Sequence, residues 1–269
     1  MAVRLIATDL DGTLLDSSAQ VSPRTRAALD AARDRGIPVV PVTARQPIGL
    51  QVIAADAAFD GWALCSNGAY AVHLTDGRML FAEELPADTI RTLAEALRAS
   101  VPGLLFASVR EGGETFVAQE GYAAIADLSD HKRDPKTMGG VPLDQVLDAP
   151  SLKFVIRHPE LAPASLFDAL RSLGLTGFEA TLSGAPFVEV MAEGVTKATG
   201  LARLCAHLGI DRTDVVAFGD ALNDVEMLRW AGHGVAMAGA EAVVQDAADE
   251  TTASNDDDGV AQVIERMLG

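Results

Sequence analysis

Residues 4–17 read RLIATDLDGTLLDS, an apolar run that ends in Asp9, Asp11 and, five residues on, Asp16. The run VRLIATDL is short and rich in strand formers, which predicts a strand buried on both faces. Carboxylates repel one another, so crowding them where a buried strand ends is unfavourable unless something positive binds there. Working outward, SPRTRAALDAARDRG predicts a helix with Ser22 as N-cap, Pro23 at the first helical position and Gly36 as a stop. Ala27, Ala28, Ala31 and Ala32 are its expected packing face. IPVVPVT reads as a second buried strand and QPIGLQVIAADA as a second helix. ALCSNGAYAVH reads as a hairpin turning at Asn67-Gly68. Strand, helix, strand, helix, strand is the pattern of a parallel sheet wrapped by helices.

The middle of the chain changes character. Between residues 83 and 189 strands come in adjacent pairs separated by single helices, which predicts an α+β insertion with an antiparallel sheet. After Gly194 the first pattern resumes, with KATGLARLCAHLG, DVVAFGD, DVEMLRWAG, GVAM and GVAQVIERML as alternating helices and strands. The expected architecture is therefore a doubly wound α/β core, residues 1–82 and 190–269, split by an inserted domain, residues 83–189.

The 269 residues are 49% apolar, enough for a sizeable core, and carry a net charge of −17. That charge argues against contact with a nucleic-acid backbone or an anionic membrane surface. Cys65 and Cys205 stand far apart in apolar surroundings and read as buried thiols rather than a disulfide. No apolar stretch approaches membrane-spanning length, and no signal-type segment opens the chain. The expectation is a cytoplasmic protein; the oligomeric state is not legible.

In an open parallel sheet, function collects beyond the carboxyl ends of the strands. Three expected strands end in polar residues there: IAT-DLDGT, VVPV-TAR and VVAF-GDALND. Asp9, Asp220 and Asp224 would converge, and hard carboxylate oxygens with open positions favour Mg²⁺ shared with a substrate phosphate. An Asp-rich turn bonding its own backbone is the plain alternative for DLDGTLLDS, and Asp16 fits it. An EF-hand does not fit, because Gly12 is fourth from Asp9 and Gln20 stands at the twelfth position.

DLDGT, then Thr43 in TAR, Lys197 in GVTK and GDALND follow in an order that resembles the haloacid-dehalogenase-like phosphatases. The further stretches SNGA, GVTKATGL, GVAMAGA and TASNDDDGVA resemble the Cof-type branch, whose cap is an α/β insertion. The resemblance implies that Asp9 attacks phosphorus to give an aspartyl-phosphate. It makes Asp11 the general acid and then the base, its backbone carbonyl a metal ligand, and Asp220 a ligand of Mg²⁺. Thr43 would donate its hydroxyl and N–H to the phosphoryl oxygens, and Lys197 would neutralise their charge. Asn223 and Asp224 would hold metal waters or Lys197 in place, and Gly12 and Gly219 would leave room for close approach. Arg45 could reach a phosphate or pair with surface acid. Ser66-Asn67 could be a functional strand-end turn or a plain hairpin turn. Two departures stand out: Ala44 where the family usually has Gly, and Ala238-Gly239 where Gly and Asn are usual.

The insertion would select the substrate. His131, Lys132, Arg133 and Lys136 form the densest basic stretch, beside Gly139-Gly140, and read either as a solvated loop or as a lid over an anionic substrate. Glu189 could bond sugar hydroxyls. With aromatics at 5% of residues, a small polar phosphate monoester such as a sugar phosphate is favoured over a large stacked one. The competing functions are a phosphomutase with the same nucleophile and a non-catalytic phosphate binder. NDDDG, residues 255–259, reads as solvated acid with an N-cap for the last helix.

Overall fold

A computed structural model describes residues 3–269. Its first strands and helices are β1 Leu5–Thr8, α1 Pro23–Asp34, β2 Val39–Pro41, α2 Pro47–Ala57, β3 Trp62–Cys65, β4 Tyr70–His73 and β5 Met79–Ala82. There follow α3 Ala87–Ser100, β6 Leu105–Arg110, β7 Thr115–Ala118, α4 Leu128–His131, α5 Leu143–Val146, β8 Lys153–Arg157, α6 Pro163–Ser172, β9 Phe178–Thr181 and β10 Val188–Ala192. The chain closes with α7 Lys197–Leu208, β11 Val215–Gly219, α8 Val225–Trp230, β12 His233–Ala236, α9 Ala242–Gln245, β13 Glu250–Thr251 and α10 Gly259–Leu268. Two compact units result. One comprises the residues up to Ala44, Leu50–Phe81 and Thr196–Gly269; the other comprises Arg45–Gly49 and Ala82–Val195. Among the described residues no helix is long and apolar enough to cross a membrane.

The first unit is a parallel sheet in the order β13-β12-β11-β1-β2. Ile6, Val216 and Val235 point to one side, where they pack with Leu29, Leu50 and Ile264 from helices α1, α2 and α10. Leu5, Val215 and Ala217 point to the other, against Leu201, Leu204 and Leu228 of α7 and α8. Burial on both faces is why these strands read as continuous apolar runs. Helix α1 starts as its sequence dictates: the Ser22 side chain accepts from the Thr25 N–H, and Pro23 needs no donor. Its buried face is Thr25, Ala28, Leu29 and Ala32, so Ala27 is exposed and the expected alanine face is shifted by the sheet it meets.

The third strand departs from the expected pattern. β3 opens an antiparallel meander, β3-β4-β5, and touches the parallel sheet through a single parallel bridge between Val42 and Leu64. The acidic stretch before α10 also differs. Asp258 takes a left-handed backbone with φ 57° and does not cap α10 with its side chain; its carboxylate instead accepts from Ser22 and Thr25 at the start of α1. Asn255 donates to the Leu15 carbonyl at 2.8 Å, and Asp256 accepts from the Ser17 N–H at 2.7 Å. The acids thus pin the loop that follows Asp9.

The second unit is an antiparallel sheet, β7-β6-β8-β10-β9. Phe106, Phe154, Ile156, Val188 and Val190 cover one face with Leu93, Leu97, Leu166 and Leu170 from α3 and α6. The other face carries charge. Lys153 and Glu189 form a buried pair at 2.5 Å, and Arg157 pairs with Asp130 at 2.5 Å. Glu189, a candidate for sugar hydroxyls, is therefore engaged by Lys153. His131 is not a surface residue of a basic loop. Its ring stacks on Phe187 at 4.5 Å, and its Nε2 bonds the Tyr122 hydroxyl at 2.7 Å. Burial, with Lys153, Arg157 and Arg133 nearby, pushes its pKa down to about 2, so it packs as a neutral aromatic ring.

Candidate active site

The register of the parallel sheet brings the polar strand ends together. Thr8 pairs with Phe218 on one side and Pro41 on the other, so Asp9, Thr43 and Asp220 emerge at one edge. The Asp9 N–H donates to the Phe218 carbonyl at 3.0 Å, and Val42 donates to the Thr8 carbonyl at 2.8 Å. Each carboxylate is therefore fixed by sheet hydrogen bonds within a residue or two of its side chain.

Lys197 is the first residue of α7. Thr196 and Thr199 cap that helix reciprocally: each hydroxyl accepts from the other's backbone N–H, at 3.2 and 2.9 Å. A cation at a helix N-terminus is unfavourable, yet Lys197 is 1% exposed. Two carboxylates compensate it, for its Nζ donates to Asp9 Oδ1 and to Asp224 Oδ1, both at 2.6 Å. Burial alone would lower the lysine's pKa, but Asp224 and Asp9 outweigh it and hold the ammonium above its ordinary range. Asp224 uses its other oxygen as well, since Oδ2 accepts from the Asp220 and Ala221 N–H groups at 3.1 and 3.0 Å. Gly219 permits this, because a Cβ there would sit 2.4 Å from the Asp224 Cβ.

Asp9, Asp220 and Asp224 offer oxygens that all lie within 4.8 Å of one another. With Lys197 as the counter-charge, that set keeps an excess of two negative charges. Burial, opposed by Lys197 and reinforced by Asp224 and Asp220, raises Asp9 well above the carboxylate range. Burial and Asp224 push Asp220 up to about 6, against the Thr13 hydroxyl that donates to its Oδ1 at 2.6 Å. An oxygen-bound divalent cation fits this deficit in charge and in donor type. Both Asp224 oxygens are already engaged, so Asp9 and Asp220 are the carboxylates suited to hold it. Gly12, at φ 83°, lets the chain pass close: a Cβ there would lie 2.4 Å from Asp220 Oδ2.

The other expected residues are placed as follows. Asp11 is exposed, two residues past Asp9. Thr43 is buried, but its N–H, expected to face phosphoryl oxygens, donates to the Leu64 carbonyl at 2.8 Å because the β3 bridge claims it. Half-buried Ala44 follows Thr43. Arg45 donates to the Gly49 carbonyl at 3.1 Å and belongs to the second unit. Asn67 is buried and accepts at Oδ1 from Asn223 Nδ2 at 2.9 Å. Asp16 accepts from the Ser18 and Gln20 N–H groups, an ordinary turn role. Ala238 and Gly239 are exposed, and a Cβ on Gly239 would meet nothing within 4 Å.

With this geometry in view, the profile of the haloacid dehalogenase-like hydrolases matches residues 6–264. The chain belongs to that family. Pyridoxal phosphate phosphatase YbhA of Escherichia coli is 30% identical over 98% of both chains. The 5-amino-6-(5-phospho-D-ribitylamino)uracil phosphatase YcsE of Bacillus subtilis is 28% identical over 99% of this chain and 96% of its own. A haloacid dehalogenase-like hydrolase from Bacteroides thetaiotaomicron, of known structure, is 30% identical with a TM-score of 0.79, covering 98% of this chain and 99% of that one. As a haloacid dehalogenase-like hydrolase, the chain holds one site residue that the sequence reading passed over. Thr13 lies inside the quoted DLDGT run, and its pairing with Asp220, 207 positions away, appears only in three dimensions.

Proposed function

We propose that this haloacid dehalogenase-like hydrolase is a Mg²⁺-dependent phosphatase of small phosphate monoesters, acting through an aspartyl-phosphate on Asp9. The observation that carries the reading is the pairing of Asp9 with Lys197 at 2.6 Å inside a buried acidic set, with exposed Asp11 two residues on. Lys197 engages Asp9 Oδ1, so Oδ2 attacks phosphorus while the ester P–O bond breaks. Asp11 gives its proton to the departing alkoxide. Asp11 then takes a proton from water as the water attacks phosphorus, the aspartyl P–O bond breaks, and inorganic phosphate and the Asp9 carboxylate are released. Lys197 and the Thr43 hydroxyl stabilise the charge on the transferring group. Mg²⁺, held by Asp9, Asp220 and the Asp11 carbonyl, would neutralise phosphate charge when bound.

Residues 83–189 are the proposed cap, choosing the substrate. YbhA and YcsE are named for phosphate monoesters of small polar metabolites, in keeping with a small substrate here, and a sugar phosphate remains our choice. The buried thiols Cys65 and Cys205 suit a cytoplasmic setting, and the net charge of −17 suits neither nucleic-acid nor membrane partners. The test is phosphate release from sugar phosphates, nucleotides and pyridoxal phosphate, with Mg²⁺ and with chelator. Release that needs metal and is lost in Asp9→Asn supports the reading. Transfer to a second hydroxyl without free phosphate would make the protein a phosphomutase instead.

A further inference from the structure

The turn between β3 and β4 is buried, unlike the other tight hairpin turn of the chain, between β6 and β7. Ser66, Asn67 and Gly68 are consecutive left-handed residues, with φ of 51°, 57° and 90°. The β6–β7 turn has the same backbone, with φ of 52°, 66° and 96° at Glu111, Gly112 and Gly113, but it opens on an exposed Glu111, whereas the β3–β4 turn is buried throughout. Glycine and asparagine take that conformation readily and serine rarely, so a buried turn with Ser66 in it needs its surroundings to hold it.

Three separate links over-determine this turn, and each leads to a different strand end or helix start. The Asn67 N–H donates to the Thr43 carbonyl at 3.0 Å. The Asn67 side-chain oxygen accepts from Asn223 Nδ2 at 2.9 Å, which ties it to the Asp220–Asp224 loop. Gly68 is wedged against the start of α7: a Cβ on it would lie 2.3 Å from the Thr196 carbonyl oxygen, and one on Gly200 would lie 2.8 Å from the Gly68 Cα. The turn therefore touches the segments carrying Thr43, Asn223 and Lys197 at once. The bond to Asn67 also fixes the Asn223 amide, whose Oδ1 is left buried without a partner.

We propose that the Asn67 side-chain amide is a positioning group for phosphoryl transfer, holding Asn223 and with it the Asp220–Asp224 loop in place without touching the reacting atoms. The proposal rests on the phosphatase reading. Asn67→Gly tests it, because glycine keeps the left-handed backbone and deletes only the amide. Misplacement of catalytic groups by about 1 Å can cost about 100-fold, so kcat should fall at least about tenfold while KM stays within about twofold. In a double-mutant cycle, Asn67→Gly with Asn223→Ala should lose no more than Asn223→Ala alone. Should the glycine variant fail to fold, Asn67→Ser shortens the side chain by enough to break the same bond. An unchanged kcat, a loss carried by KM, or two losses that multiply would overturn the proposal. If the wild-type protein releases no phosphate at all, it is the phosphatase reading that fails. The contact is then read by hydrogen exchange of the Asn223 side-chain amide, slow in the wild type and fast in Asn67→Gly. Equal exchange in both proteins would sink it.

Discussion

Asp220→Asn should make the metal-free protein more stable, and by an amount that depends on pH. Burial and Asp224 push the Asp220 carboxyl up to about 6 from an ordinary 3.8. The folded state therefore binds a proton more tightly than the unfolded chain does. Between those two values stability falls as pH rises, and above about 6 the whole penalty is present. The difference is about two pH units, or about 3 kcal/mol on a mostly buried group. Asparagine is nearly isosteric, carries no charge and can still accept from the Thr13 hydroxyl, so it removes the penalty with little loss of packing. Urea unfolding in EDTA should show Asp220→Asn ahead of the wild type by roughly 2–3 kcal/mol at pH 8, with no advantage at pH 4. Mg²⁺ should then raise the wild-type midpoint at pH 8 and shift the variant much less. A variant no more stable than the wild type at pH 8, or an advantage that does not change with pH, would refute the charge-excess account of this site.

Other outcomes follow from individual contacts. Lys197→Met leaves Asp9 and Asp224 buried without their shared cation, and should cost about 3–5 kcal/mol in denaturant unfolding as well as abolishing phosphate release. Gly12→Ala places a Cβ 2.4 Å from Asp220 Oδ2 at a left-handed φ of 83°; activity should fall about 100-fold, and unchanged kinetics would show that the loop has room to move. His131, pushed down to about 2 by burial, must gain a proton on unfolding at pH values between about 2 and 6.5. Its contribution is complete above that value and is lost at about 1.4 kcal/mol per pH unit below it. His131→Phe should therefore flatten the acid limb of the unfolding profile, and an unaltered slope would place the charge elsewhere.

Much of the architecture is written locally. Apolar runs mark the sheet strands because parallel strands are buried on both faces, and Ser22-Pro23 marks the start of α1 because that pair satisfies an orphan N–H and needs no donor. The residues of the candidate site were equally legible, since DLDGT and GDALND put carboxylates just past strand ends. What local sequence does not hold is who receives each hydrogen bond and which charges end up buried. The Thr43 N–H was open to a ligand until β3 bent into a meander and presented Leu64. His131 sits in a run of basic residues, yet Phe187 and Tyr122, contributed by other segments, turn it into a neutral core ring. Lys197 begins a helix, and the family resemblance sets it against phosphoryl oxygens; its ion pairs with Asp9, 188 positions earlier, and with Asp224 are visible only in the fold. Periodicity and capping act over a few residues, so the sequence by itself determined the elements and the acidic strand ends. Desolvation and charge pairing depend on neighbours hundreds of residues apart, so only the tertiary structure decided which of those acids share a cation, which are tied to backbone, and which keep oxygens for a metal.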